Sequence, residues 1–322
     1  MKKIAIYVLG FLLLITAIFL IGPRPSTDET IHFRADSLSK DIDAYLVTNE
    51  KKITNITPGA EKEIIWADPA TKAKTPLAII YLHGFSATKM EVRPVPDNVA
   101  KSFGANLYFI RLTGHGVGGF GLGEATMNDW LNDLAEAIAI GEQLGEKIIF
   151  VTTSTGGTLA VFGTKFPQLM KKVSGMVLLS PNFALHSASN DLMNIPWAET
   201  LLPIVVGNEI SWEPKNEQHR KWWTSKYPMQ AIFTMAALMR QVEAIDKSKI
   251  TLPALFIYSK DDQTVRPSIT DEVVKNWGGP VEVLIVETPE EASNHVITGD
   301  ILNPTATTMV SERIIEWIEK TR

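Results

Sequence analysis

Residues 148–160 (IIFVTTSTGGTLA) pass without a break from an apolar, β-branched run into a small-residue run of helical character, with Ser154 at the junction. A strand that turns directly into a helix leaves few possible arrangements. The two backbones approach closely, so positions beside the turn must be small. The serine hydroxyl is pushed out at the sheet edge, above the helix N-terminus. Gly156 meets the size requirement on one side, whereas Thr152 stands where the G-x-S-x-G pattern has glycine. Taken alone, the stretch is also the pattern of a serine that caps a helix.

On either side of it, strand and helix signals alternate. Apolar runs at 63–66, 77–82, 106–110, 173–179, 253–259 and 281–286 read as strands, separated by helical patterns. Val95–Phe103 is one such helix, and Thr126-Met127-Asn128-Asp129 resembles a capping box that opens another. Trp130, Leu134, Ile138 and Leu144 keep one helical face behind it. A last amphipathic helix starts at Asn303-Pro304. Such alternation predicts an α/β fold with a mostly parallel central sheet flanked by helices.

Residues 182–250 interrupt the pattern. They contain no strand run and hold Trp197, Trp212, Trp222 and Trp223, four of the eight tryptophans. Met229, Ile232, Met235, Met239 and Val242 fall at helical spacing after Pro228, a suitable first-turn proline. A stripe of this kind serves core packing or an apolar pocket wall, and an insertion here has the makings of a helical cap.

With 322 residues the chain can hold one large α/β domain or two small ones. Its net charge of −5, without a long basic run, gives no basis for nucleic-acid binding. The absence of cysteine excludes disulfides, thiolate catalysis and Cys-based zinc sites. No cofactor or metal motif is found, and the sequence does not give an oligomeric state. Residues 4–22 are uncharged and apolar, preceded by Lys2 and Lys3 and closed by Pro23-Arg24-Pro25. As a helix they span roughly 28 Å, enough for a bilayer core. No A-x-A-like cleavage pair follows, so residues 1–22 read as an uncleaved signal anchor rather than a removable signal; cleavage would instead give a secreted protein. The two lysines favour a cytoplasmic N-terminus, with the main domain on the extracytoplasmic side of the membrane. Residues 23–61 read as a linker with a peripheral helix over 37–50, and residues 62–322 as the main domain.

A serine hydroxyl needs a neighbouring base, and the base needs a carboxylate to fix its tautomer. With Ser154 at a strand end, the partners should follow in the order acid then histidine, each at a strand's C-terminal end. Of the six histidines only His295 lies beyond the last two strands, in the loop 291–295. The strand ending at Ser259 delivers Asp261 and Asp262, and the spacing of Asp262 to Val265 favours Asp262 over Asp261. The backbone N–H groups of Thr155 and of Phe85, after His83-Gly84, are candidate oxyanion donors. His83 precedes the serine and reads as a brace for that loop. His115, in the glycine-rich segment 114–119, lacks the Lys-Ser/Thr of a phosphate-binding loop.

His83-Gly84-Phe85, Thr153-Ser154-Thr155-Gly156-Gly157, Asp262-Gln263-Thr264-Val265 and Asn294-His295-Val296 together resemble the α/β-hydrolase superfamily. The resemblance is to the lipase, carboxylesterase and monoacylglycerol-lipase-like group, which also contains serine aminopeptidases. It covers residues 62–322 and implies Ser154 as nucleophile, His295 as general base and acid, and Asp262 as orienting acid. Phe85 and Thr155 would supply the oxyanion hole. It also implies a cap inserted after the sixth strand, here 182–250. The expected activity is hydrolysis of a small-molecule acyl ester or lipid. A serine aminopeptidase would need cap acids, for which Glu199, Glu209 and Glu213 are available. A non-catalytic hydrolase-fold binding protein has no need of all three triad groups.

Overall fold

The uninterrupted Val, Ile, Leu and Phe runs form strands buried on both faces, as a sheet covered by helices on each side requires. The structure, a computed structural model, describes residues 2–186, 189–287 and 293–321. Along the chain the strands are β1 (Glu63–Ile65), β2 (Thr75–Leu82), β3 (Asn106–Phe109), β4 (Gly145–Thr153), β5 (Val173–Leu179), β6 (Glu209–Ser211), β7 (Lys226–Pro228), β8 (Ala254–Tyr258) and β9 (Val281–Ile285). Seven of them make one sheet in the order β1-β3-β2-β4-β5-β8-β9. Only the β1–β3 pairing in this sheet is antiparallel.

Register decides where the functional loops lie. Leu82 pairs with Thr152, Thr153 with Leu179, Leu179 with Ile257, and Tyr258 with Ile285. The C-terminal ends of β2, β4, β5, β8 and β9 therefore finish level, and the loops after them gather at one edge.

Strand alternation splits the core into two layers. Ala78, Ile80, Phe150, Leu178 and Phe256 face the helices Met127–Leu144 and Thr155–Gly163. Ile79, Val151, Val177 and Ile257 face Val95–Phe103 and Thr307–Thr321, where Trp317 is buried. Each of these Val, Leu, Ile and Phe side chains contributes about 1.5–3 kcal/mol by leaving water. The capping box at Thr126 is formed in both directions with Asp129.

Between β5 and β8 the expected insertion is present, with three differences from expectation. It is not wholly helical, because β6 and β7 pair as a two-stranded antiparallel ribbon. Pro228 does not open a helix. It ends β7, and the helix runs Gln230–Glu243 with Met229 as its N-cap residue. The insertion follows the fifth strand of this sheet, one strand earlier than the family count, because only five sheet strands precede it here. The methionine stripe divides its work: Met229 packs within the insertion, and Met239 and Val242 pack on the main core.

The helix Lys2–Leu20 leaves its apolar side chains exposed. The linker that follows lies against the domain. Pro23 O accepts from Trp197 N at 2.7 Å, Pro25 O from Arg240 Nη2 at 2.9 Å, and Thr30 O from Asn128 Nδ2 at 2.8 Å. The peripheral helix is shorter than 37–50; it runs Ile42–Glu50, capped by Asp41, with a single 3₁₀ turn at Ala35–Ser37. Its last residue, Glu50, forms a buried two-point ion pair with Arg111, both bonds 2.8 Å, which ties the linker to the loop after β3.

Candidate active site

At the end of β4 the chain reverses within one residue. Ser154 has φ 50° and ψ −117°, and the helix Thr155–Gly163 begins immediately. A non-glycine residue in that region costs about 1–3 kcal/mol and persists only where neighbours hold it. Here Ser154 N–H donates to Leu179 O at 2.9 Å, while Ser154 O accepts from Gly157, Thr158 and Asn182 N–H. Gly156 is indispensable: a Cβ there would stand 2.2 Å from Leu82 O. Thr152, in the place of the usual glycine, is accommodated. Its hydroxyl donates to Val177 O at 2.9 Å, and a Cβ on Gly157 would lie only 3.1 Å from that hydroxyl oxygen. The small residue required opposite position 152 is therefore Gly157.

The structure brings the three sequence-derived residues into one hydrogen-bonded chain. His295 Nε2 is 3.0 Å from Ser154 Oγ, and His295 Nδ1 is 2.8 Å from Asp262 Oδ2. Since a carboxylate only accepts, Nδ1 carries the proton, and Nε2 is left to accept from the serine hydroxyl. Asp262 is itself fixed, its Oδ1 accepting the N–H groups of Thr264 at 2.7 Å and Val265 at 2.9 Å. Ser154, Asp262 and His295 are all buried, whereas Asp261 is exposed. Glu291 and Ala292, the first residues of the histidine loop, lie outside the described residues. Burial alone would depress the His295 imidazole. The Asp262 carboxylate, through its charge and hydrogen bond, together with the charge of Glu91, outweighs burial and holds it above its ordinary value of 6.5.

Phe85 follows the end of β2, and Thr155 is the first residue of the elbow helix. Among the described residues neither backbone N–H meets a protein acceptor, although Thr155 is fully buried. Two such donors beside a serine can stabilise negative charge developing on a substrate oxygen, and the helix N-terminus adds to the effect. His83 braces this loop as its position implies: Nδ1–H donates to Gly84 O at 2.9 Å and Nε2 accepts from Leu112 N at 3.1 Å. Burial depresses it to about 4, so it is neutral. His115 packs against His83 and Trp130 at a tilt, with ring centroids at 4.8 and 5.6 Å, and edge-to-face against Phe85 at 6.0 Å.

Ser154 and His295 open into a cavity of about 510 Å³. Its walls are largely apolar, with Leu185, Met193, Ile210, Trp212, Trp223 and Met235 among the lining residues. Of the three cap glutamates only Glu213 lines it. A larger cavity, about 700 Å³, lies between the helices Gln230–Glu243 and Pro267–Asn276 and contains none of the three residues. The hydrogen-bonded grouping of Ser154, His295 and Asp262, not size, therefore marks the candidate site.

One group at this site is not evident from the sequence. Glu91, 2% exposed, shares the cavity wall with Ser154 and His295. Burial pushes its carboxyl up to about 7, against the opposing pull of the Gly84 N–H, the Tyr81 hydroxyl and His295. In sequence it is an isolated acid between Met90 and Val92, with no motif around it.

Against known proteins, residues 73–287 match a family model described as serine aminopeptidase, S33. A thermostable monoacylglycerol lipase of Bacillus sp. (strain H-257) is 27% identical over 257 residues, covering 79% of this chain and 95% of that protein. Among solved structures, one of the metagenome-derived lipolytic enzymes LipS and LipT superposes with a TM-score of 0.66 at 22% identity, over 82% of this chain and 99% of that one. A soluble variant of monoglyceride lipase from Saccharomyces cerevisiae, in complex with a substrate analogue, superposes at 0.61 with 12% identity, over 81% and 91%. These likenesses agree with the mostly parallel, helix-flanked sheet described above.

Proposed function

The chain belongs to the α/β-hydrolase family described as serine aminopeptidase, S33, and from that membership we propose that it is a serine hydrolase cleaving carboxylic esters through an acyl-enzyme on Ser154. The observation that carries the reading is the unbroken hydrogen-bond chain from Ser154 through His295 to Asp262, at 3.0 and 2.8 Å. Ser154 Oγ attacks the ester carbonyl carbon as its proton passes to His295 Nε2, and Asp262 holds the imidazolium. The N–H groups of Phe85 and Thr155 bind the tetrahedral oxyanion. Collapse breaks the bond to the alcohol oxygen, which leaves with the proton from His295. Water then gives a proton to His295 and attacks the acyl carbon, and the second collapse releases the acid and restores the serine.

An uncharged acyl chain suits the apolar cavity better than a peptide with a free amine. Among the described acids along the cavity, Glu91 is already engaged by Gly84 and Tyr81, and Glu213 is the one cap acid. The lipase names of the relatives point the same way. The test is a chain-length series of p-nitrophenyl esters set against aminoacyl anilides, with fluorophosphonate labelling of the native chain. Esters should turn over at least about 100-fold faster than anilides, as expected where an amine finds no dedicated partner. The opposite ranking would establish a peptidase, and a native chain that fails to label would sink the serine-hydrolase reading altogether.

The base must be neutral to act, so kcat/KM should rise with pH as His295 loses its proton. Because Asp262 and Glu91 hold His295 above 6.5, the midpoint of that rise should lie above 6.5. A flat profile through neutral pH, or a midpoint below 6.5, would contradict His295 as the base.

We further propose that the domain is held at a membrane by its first helix, on the extracytoplasmic side. Residues 3–20 have a mean hydropathy of 2.5 and none of that window is buried against the domain. The native chain should stay in the membrane pellet after alkaline carbonate washing, and a chain lacking residues 1–22 should not. Release of the full chain by carbonate would contradict an anchor.

A further inference from the structure

Two donors form an oxyanion hole only if their separation is fixed, and here they come from different strands. Phe85 follows β2, and Thr155 follows β4. A buried hydrogen-bonded chain joins the residues just before each. Glu91 Oε2 accepts the Gly84 N–H at 2.7 Å and the Tyr81 hydroxyl at 2.9 Å. Tyr81 Oη is also 3.0 Å from Thr153 Oγ1. Since Tyr81 has one proton and gives it to the carboxylate, the Thr153 hydroxyl donates to Tyr81. Gly84 directly precedes the Phe85 donor, and Thr153 stands two residues before the Thr155 donor.

The fit around this chain is tight. A Cβ on Gly84 would lie 2.6 Å from Glu91 Oε1 and 3.2 Å from Ser154 Cβ, so only glycine lets the carboxyl approach the nucleophile. Tyr81 and Thr153 are no more than 1% exposed. Burying a carboxyl at the wall of an apolar cavity is costly. A neutral side chain of similar size would avoid the cost. What its position supplies is an acceptor that reaches Gly84 and Tyr81 together.

We propose that Glu91 is a positioning residue for the oxyanion hole, setting the separation of the Phe85 and Thr155 donors through the chain Gly84–Glu91–Tyr81–Thr153. The proposal rests on the reading of Ser154 as the nucleophile. Glu91 acts on the donors and does not touch the reacting atoms. Its loss should be felt where charge develops on the substrate oxygen, and hardly in substrate binding.

The test uses steady-state p-nitrophenyl ester kinetics on the full chain, with thermal melting to confirm that each variant is folded. Glu91→Ala should lower kcat roughly 10- to 100-fold, the scale of a displaced donor, with KM within about threefold. Glu91→Gln keeps an acceptor oxygen in place and should recover kcat to within about fivefold of native. Tyr81→Phe cuts the link to Thr153 and should cost roughly 3- to 10-fold in kcat, again with KM little changed. A folded Glu91→Ala with native kcat, a loss confined to KM, or a Glu91→Gln no better than Glu91→Ala would each overturn the brace. Where Glu91→Ala does not fold, Tyr81→Phe decides, and native kcat in that variant overturns the proposal. An active native chain with an unaffected Glu91→Ala rejects the brace alone. A native chain without turnover or fluorophosphonate labelling rejects the nucleophile reading, and the brace with it.

Discussion

Ser154→Ala is expected to lower ester turnover by roughly a millionfold and to abolish fluorophosphonate labelling. The change removes one oxygen atom. The elbow conformation of Ser154, φ 50°, is held by backbone bonds from Leu179, Gly157, Thr158 and Asn182, none of which involves the hydroxyl. Alanine meets the same backbone strain as serine, so folding should be nearly unchanged and the melting temperature should move by no more than a few degrees. What disappears is the hydroxyl oxygen 3.0 Å from His295 Nε2, the atom that would form the acyl bond. Residual catalysis from the oxyanion donors and the cavity stays far below the native rate, because no covalent intermediate forms. Burst kinetics make the comparison direct: the native chain releases one equivalent of alcohol quickly if deacylation is slow, and the variant releases none. A purified variant that kept more than about 1% of native turnover would mean that another group is the nucleophile, since loss of a true nucleophile costs several orders of magnitude more.

Ser154 is marked less by its own motif than by the order of residues along the chain. His295 and Asp262 had to lie beyond later strands, and the level ends of β4, β8 and β9 explain why order along the chain becomes proximity in space. Thr152 is a different matter. Its tolerance depends on Val177 O, a carbonyl on the neighbouring strand, and on the absence of a side chain at Gly157. Local pattern gives no account of a partner 25 residues away. Glu91 was illegible for the same reason, as nothing near it in sequence announces that Gly84 and Tyr81 converge on one of its oxygens.

Secondary structure was legible where periodicity had length to express itself. β6 and β7 have three residues each, too few for an alternation to emerge. The helix Gly118–Glu124 is hidden in a segment that reads as a glycine-rich loop, because glycine is a poor helix former. Packing overrides propensity there. A Cβ on Gly119 would stand 2.1 Å from Lys226 O, and one on Gly123 2.6 Å from Pro228 Cγ. The glycines let this helix lie directly on β7, a contact decided a hundred residues further along the chain.

The choice between the adjacent aspartates leads to the second large effect. Asp262→Asn should lower kcat by about 10⁴-fold with little change in KM, and Asp261→Asn should stay within about twofold of native. The carboxylate of Asp262 accepts from three N–H groups: Nδ1 of His295 at 2.8 Å, and the backbones of Thr264 at 2.7 Å and Val265 at 2.9 Å. In an asparagine the oxygen will satisfy the two backbone donors, which leaves the amide NH₂ facing Nδ1. That forces the proton of the imidazole onto Nε2, where it points at Ser154 and can no longer accept the serine proton. The negative charge that holds the imidazolium is lost as well, so whatever activity remains should show its acid limb at a lower pH than in the native chain. Asp261 is exposed, and among the described residues the groups of it that bind neighbours are backbone: its N–H donates to Ser259 Oγ at 3.2 Å, and its carbonyl accepts from Gln263 Nε2 at 2.8 Å and from Asn294 Nδ2 at 3.4 Å. Removing its side-chain charge therefore changes a solvated surface group and leaves the base alone. Steady-state kinetics of the two variants, measured side by side across pH, separate the roles: a larger loss at Asp261 than at Asp262 would move the orienting acid by one residue and break the hydrogen-bond chain on which the mechanism depends.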